Sequence, residues 1–174
     1  MKKVLFIAIV LIAFVFIISL FGQDFTYVGA AKCKTCHKSE KRGKQFPIWE
    51  ESKHSKSFAA LSSPDASAKA QEAGVENPVE SPKCLSCHAP LSDKAADFKE
   101  EGVTCEVCHG PGSAYKKLNI MKSREESVAN GMVAYESPDA IKKHCLSCHE
   151  NAHEKSFDFD AAWEKIKHPV PETE

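Results

Sequence analysis

Outside its first 22 residues the sequence has little from which to build an ordinary hydrophobic core. Residues 23–174 hold three tyrosines, two tryptophans and few continuous Val, Ile or Leu runs, and nothing there reads as a convincing sheet. A surplus of positive charge is also missing. Without Lys2 and Lys3, 21 bases face 24 acids, a net charge of −3, which is not the balance of a nucleic-acid binder. No fixed-period repeat is present, because the first cysteines of the four Cys-x-x-Cys pairs fall at 33, 84, 105 and 145; this excludes a solenoid. A single domain with so thin an apolar inventory needs something other than side chains at its centre.

The apolar residues are concentrated at the amino terminus. Met1-Lys2-Lys3 precedes an 18-residue stretch from Val4 to Phe21 that is apolar but for Ser19, just long enough to cross a bilayer's hydrocarbon layer at roughly 1.5 Å per residue. The favoured reading of residues 1–22 is an uncleaved membrane anchor with its lysines on the cytoplasmic side. A cleaved signal peptide is the competitor, although Ser19, Gly22 and Ala30 offer no clean small-x-small site. Either way residues 23–174 are exported. The expected location is the periplasm or the outer face of the cytoplasmic membrane.

All eight cysteines fall in four identical arrangements: Cys33-Lys-Thr-Cys36-His37, Cys84-Leu-Ser-Cys87-His88, Cys105-Glu-Val-Cys108-His109 and Cys145-Leu-Ser-Cys148-His149. A disulfide scaffold or paired zinc sites would also use Cys-x-x-Cys, but neither demands the histidine that follows every pair. The pattern is that of c-type haem attachment, repeated four times. One helical turn presents two thiols to the two vinyl groups, and the next residue brings an imidazole to the iron. Four covalently bound haem c groups are therefore expected, with His37, His88, His109 and His149 as proximal ligands. They also supply the missing core, so the domain should not fold without them.

The other elements read as short helices. Pro47 opens an amphipathic stretch with Ile48, Trp49, Phe58 and Leu61; a second runs from Ser113 towards Gly131; a third begins at Ser137-Pro138 and enters the last motif; a fourth, capped near Asp160, carries Trp163 and Ile166. The expected fold is mainly α, with short helices and loops wrapped around four packed haems. Four histidines lie outside the motifs. His54, between Trp49 and Phe58, suits a haem-facing place, as does His168 at the end of the Trp163 helix. For His144, adjacent to Cys145, and His153, in a polar tail, ligation is the less favoured reading; a solvated or propionate-bonding role suits His144.

These segments together resemble the tetrahaem cytochrome c-554 family of electron carriers. The resemblance spans residues 27–170 and is carried by Tyr27-Val28-Gly29 before the first motif, Trp49-Glu-Glu-Ser-Lys-His54 with Leu61, Gly102-Val-Thr-Cys-Glu-Val-Cys-His-Gly-Pro-Gly112, and Phe157-Asp-Phe-Asp with Trp163 and His168. It implies a helical fold around stacked haem pairs, with three haems held by two protein ligands each and the second left five-coordinate. It further implies His54 as distal ligand of the third haem and His168 of the fourth. This chain departs from the pattern after Gly112, where the family's histidine for the first haem is absent. Met121, two residues beyond that place, is the candidate substitute. The family's long insertions between motifs are absent as well.

The resulting expectation is an exported tetrahaem cytochrome that passes electrons between protein redox partners, more an electron carrier than an enzyme. Propionates would add to the negative charge of the domain, favouring a basic partner surface and a salt-sensitive encounter. The alternative from a different class is an enzyme that reduces or oxidises a small nitrogen compound (nitric oxide, nitrite or hydroxylamine) at an open second haem. It is disfavoured because no acid–base group can be placed around residues 84–93.

Overall fold

The computed structural model describes residues 24–150, 153 and 156–169. Residues 1–22, the segment expected to be a membrane anchor or signal peptide, lie outside them. Ten α-helices are present among the described residues, with no strand: α1 (Ala30–His37), α2 (Gln45–Glu51), α3 (Ser57–Ala60), α4 (Pro64–Glu72), α5 (Pro82–His88), α6 (Cys105–His109), α7 (Leu118–Met121), α8 (Arg124–Ala129), α9 (Pro138–His149) and α10 (Phe159–Ile166). Among the described residues, no helix is long and apolar enough to cross a membrane.

Each Cys-x-x-Cys-His motif closes a helix. Helices α1, α5, α6 and α9 all end on the motif histidine. The local causes are visible at both ends. Pro82 and Pro138 sit in the first turn of α5 and α9, where a missing N–H is harmless, and the Ser137 hydroxyl accepts the Ala140 N–H at 3.2 Å. Beyond His109 the chain turns at Gly110 with φ 75°, and a Cβ there would lie 2.7 Å from the Gly131 carbonyl oxygen. Only glycine fits that close approach.

Two expected helices are broken. The stretch opened at Pro47 starts at Gln45, ends at Glu51 and resumes as α3, so His54 lies in the intervening turn and not on a helix. Serine hydroxyls cause the break: Ser52 Oγ donates to the Trp49 carbonyl at 2.7 Å, and Ser55 Oγ reaches the Glu50 and Ser52 carbonyls at 2.9 and 3.0 Å. Such local bonds compete with the helical ladder. The stretch after Ser113 is likewise divided into α7 and α8, because Ser123 caps α8 by accepting the Glu126 N–H.

Packing places the motifs beside one another. Helix α1 packs on α2 and α6, α3 packs on α5, and α7 on α8. The apolar core is small: Leu61, Leu85 and Ala89 form a buried cluster with Phe58, Val79 and Cys84 against it. The largest fully buried side chains are Glu106, Thr104 and Ser127, all polar. That is the reverse of a normal interior, and it leaves the apolar filling of the fold to something beyond its side chains.

Candidate haem array

The motifs meet through their sulfurs. The Cys33 thiol of the first motif lies against Cys105 of the third, and their interaction lowers the Cys33 pKa and raises that of Cys105. Cys148 of the fourth motif is pushed up to about 11 by burial, then by its contact with Cys87 of the second. Burial, followed by the neighbouring Cys145 and Cys148, pushes Cys108 to about 11. First and third motifs thus adjoin, as do second and fourth, and the third meets the fourth. All eight thiols are unpaired by disulfides. Among the described residues, no three His, Cys, Asp or Glu side chains converge to hold a metal ion by themselves.

The histidines show a second order. His54 faces His149 with ring centroids 6.1 Å apart, His88 faces His153 at 6.2 Å, and His109 faces His168 at 5.8 Å. Two imidazoles bound from opposite sides of one metal stand about 6 Å apart, given a metal–nitrogen bond of about 2 Å and about 1 Å from nitrogen to ring centre on each side. The three separations fit a shared iron between each pair. The pairing differs from what the resemblance implies: His54 is seated against the fourth motif and His168 against the third. His37 is the motif histidine without a facing imidazole among the described residues.

Electrostatics keep these rings in the metal-binding form. Burial first, then the neighbouring His168 and His37, pushes His109 down to about 4. His54 is lowered by burial and then by His149, His149 by burial alone, and His168 by burial and then by His37. Neutral imidazoles offer a lone pair. The Nδ1 of His168 is buried without a hydrogen-bond partner among the described residues, a cost that a bound group would remove. Two proximal rings have an orienting partner. His88 Nδ1 lies 2.8 Å from the Ser57 carbonyl, and His37 Nδ1 lies 3.2 Å from Gln45 Oε1. A carbonyl at Nδ1 fixes the proton there and leaves Nε2 free as a ligand atom.

Polar residues lock the motifs together. The buried Glu106 carboxylate accepts N–H groups from Val28, Gly29 and Gly112 at 3.0, 2.8 and 2.6 Å. Glu101 accepts the Ala30 N–H at 2.9 Å and the Thr104 hydroxyl at 2.8 Å. Trp49 donates its indole N–H to the Val103 carbonyl at 2.9 Å. Ser57 Oγ lies 2.8 Å from both the His54 and His88 carbonyls, which share its one proton, and accepts the Val103 N–H at 3.0 Å. Tyr135 donates to the Cys108 carbonyl at 3.1 Å and rests 5.4 Å from the ring of His144, joining third and fourth motifs.

Of the distal candidates, His54 and His168 each face a motif histidine. Met121 is half-buried at the end of α7, where its N–H donates to the Lys117 carbonyl at 2.8 Å; α7 packs on α8. His153, set aside on sequence grounds, faces His88. Gln45, Ser57 and Glu106 also escaped the sequence reading. Only the position of Glu106 between two motif cysteines could have hinted at its role.

The residues present therefore fit covalent haem c: paired thiols at helix ends, neutral imidazoles at metal-sharing distance and a fold short of apolar filling. Residues 32–110 match the family model described as cytochrome c554 and c-prime. Cytochrome c-554 of Nitrosomonas europaea is 24% identical over 151 residues, covering 75% of this chain and 60% of that protein. The chain thus spans about three-fifths of the length of this curated relative. No solved structure matches.

Proposed function

The chain belongs to the cytochrome c554 and c-prime family through residues 32–110, and on that premise we propose that it is an exported tetrahaem electron carrier working between protein redox partners. The observation that carries the reading is the set of three facing histidine pairs, each at the separation of two ligands on one iron. When bound, haem c supplies an iron that gains and loses one electron. The chain's part is to hold each iron between strong ligands and to set the haems side by side. Cys33, Cys36, Cys84, Cys87, Cys105, Cys108, Cys145 and Cys148 would bear the thioether links, and His37, His88, His109 and His149 the proximal bonds. His168 opposite His109 and His54 opposite His149 would supply distal bonds, and Met121 is our assignment opposite His37.

Contact between first and third motifs and between second and fourth favours two adjoining pairs, joined where Cys108 meets Cys145 and Cys148. That is a continuous route for electrons and needs no acid–base group. Residues 1–22 would tether the domain to the outer face of the cytoplasmic membrane or direct it to the periplasm. Charge is uneven: although residues 23–174 carry net negative charge, Lys32, Lys34, Lys38, Lys41, Arg42 and Lys44 are all exposed in the sequence around the first motif, and Glu40 is the one acid of residues 31–44, with Lys34 paired to Glu50 and Lys44 to Glu40. An acidic partner surface suits that end and a basic one the rest, and both encounters should weaken with salt.

The test is a count. Chain produced with cytochrome c maturation should carry four covalent haems by pyridine haemochrome and intact mass, and all four should be reduced and reoxidised in a potentiometric titration. Fewer than four haems, or sustained turnover of nitrite or hydroxylamine, would reject the carrier reading.

A further inference from the structure

We propose that His153 is the sixth ligand of the iron held at His88, so that the second haem of this chain is closed by two imidazoles. The inference rests on the four-haem reading above. Its geometry is that of the other two pairs: the His88 and His153 rings stand 6.2 Å apart, against 6.1 and 5.8 Å for His54–His149 and His109–His168. The Ser57 carbonyl 2.8 Å from His88 Nδ1 leaves Nε2 as the ring nitrogen of His88 with a free lone pair.

His153 is otherwise hard to explain where it stands. It is exposed, no hydrogen bond reaches its ring among the described residues, and its backbone sits at φ 54°, in the left-handed region that non-glycine residues adopt uncommonly, histidine more readily than most. The observation that points to a residue placed for its ring is the facing imidazole of His88. The sequence shows how such a ligand can arise. His153 lies four residues beyond His149 and yet faces the second motif, which is possible because Cys148 of the fourth motif lies against Cys87 of the second. One segment thus supplies the proximal ligand of one iron and the distal ligand of its neighbour.

The consequence is a relocated open position. With His153 at the second iron, the iron at His37 is the one with no imidazole opposite it among the described residues. Exogenous ligands that enter this protein should therefore compete with a thioether at the first haem and find the second one closed.

The experiment compares wild-type holoprotein with His153→Ala, using His144→Ala as a control that removes a histidine facing Tyr135. The expected result is that His153→Ala keeps four covalent haems but converts one iron from low-spin to high-spin in the ferric electron paramagnetic resonance spectrum. Its reduced form should bind about one more carbon monoxide per chain than wild type. Added imidazole should restore the low-spin count in His153→Ala, and His144→Ala should match wild type throughout. Four haems with spin count and carbon monoxide binding unchanged by His153→Ala would overturn this inference alone. A wild-type chain lacking haem at Cys84 and Cys87 would overturn the four-haem reading and this inference with it.

Discussion

The carboxylate of Glu106 accepts the backbone N–H of Gly29 at 2.8 Å across 77 residues of sequence. Because the same carboxylate holds Val28 and Gly112, it ties the entry to the first motif, the body of the third and the loop beyond it at one buried point. A carboxylate is suited to this role: it accepts several N–H groups at once and donates none.

Glu106→Gln keeps one good acceptor oxygen and turns the other position into a donor facing donors. Holoprotein stability should fall by about 1–3 kcal/mol. Glu106→Ala, which strands three amides, should cost about 3 kcal/mol or more, lowering the melting temperature by about 2–4 °C for each kcal/mol. Both variants should retain four haems, since Glu106 fills a variable position between Cys105 and Cys108 and no cysteine or histidine of the motif is touched. Denaturant midpoints equal to wild type would show that water satisfies these amides.

Tyr115 predicts an alkaline limit. Its phenol is buried, donates to the Gly110 carbonyl at 2.9 Å, and is held well above the usual tyrosine range by burial first and by Cys33 and Glu106 next. A pKa raised on folding means that the neutral phenol stabilises the fold below the unfolded value near 10. As pH climbs past 10 the unfolded chain loses this proton before the folded one does, so stability declines. Tyr115→Phe should flatten that decline while costing about 1 kcal/mol at neutral pH through the lost bond. Equal slopes above pH 10 in the two proteins would remove Tyr115 as the cause.

Much of the site is written in contiguous residues, and that part was legible. Cys-x-x-Cys-His needs only one helical turn, so each attachment unit can be read without knowing the fold. The start of α9 at Ser137-Pro138 is legible for the same reason. Partnership between histidines is a tertiary property: nothing near His54 records that it will face His149, and nothing near His153 records that it will face His88. The polar tail around His153 argued for solvent, and its exposure agrees with that reading even though its ring faces another imidazole. The break after Glu51 was missed because the apolar spacing of Ile48, Trp49 and Phe58 outweighed two serines whose hydroxyls cap the helix.

The pairing of His54 with the fourth motif and His168 with the third can be tested by non-additivity. Residues on one iron should act as a unit, whereas residues on two irons should add. His54→Ala combined with His149→Ala should perturb one haem's potential and spin state; His54→Ala combined with His109→Ala should perturb two. The reverse pattern would restore the assignment implied by the family resemblance.

The last prediction concerns the iron at His37. The family's histidine after Gly112 is absent, no facing imidazole replaces it among the described residues, and a thioether is the remaining soft, neutral donor near the expected place. Sulfur ligation favours ferrous iron relative to two imidazoles, so one haem should titrate above the other three. Met121→Ala should lower that potential and abolish a weak sulfur-to-iron absorption at the red end of the ferric spectrum. Gln45→Leu offers an independent handle on the same iron, because Gln45 Oε1 lies 3.2 Å from His37 Nδ1. Loss of that acceptor makes the imidazole a poorer donor to ferric iron, which should raise the same potential while leaving the others in place. The two substitutions thus push one haem in opposite directions. A redox titration in which they move different haems, or in which Met121→Ala moves none, would assign the sulfur to the apolar packing between α7 and α8.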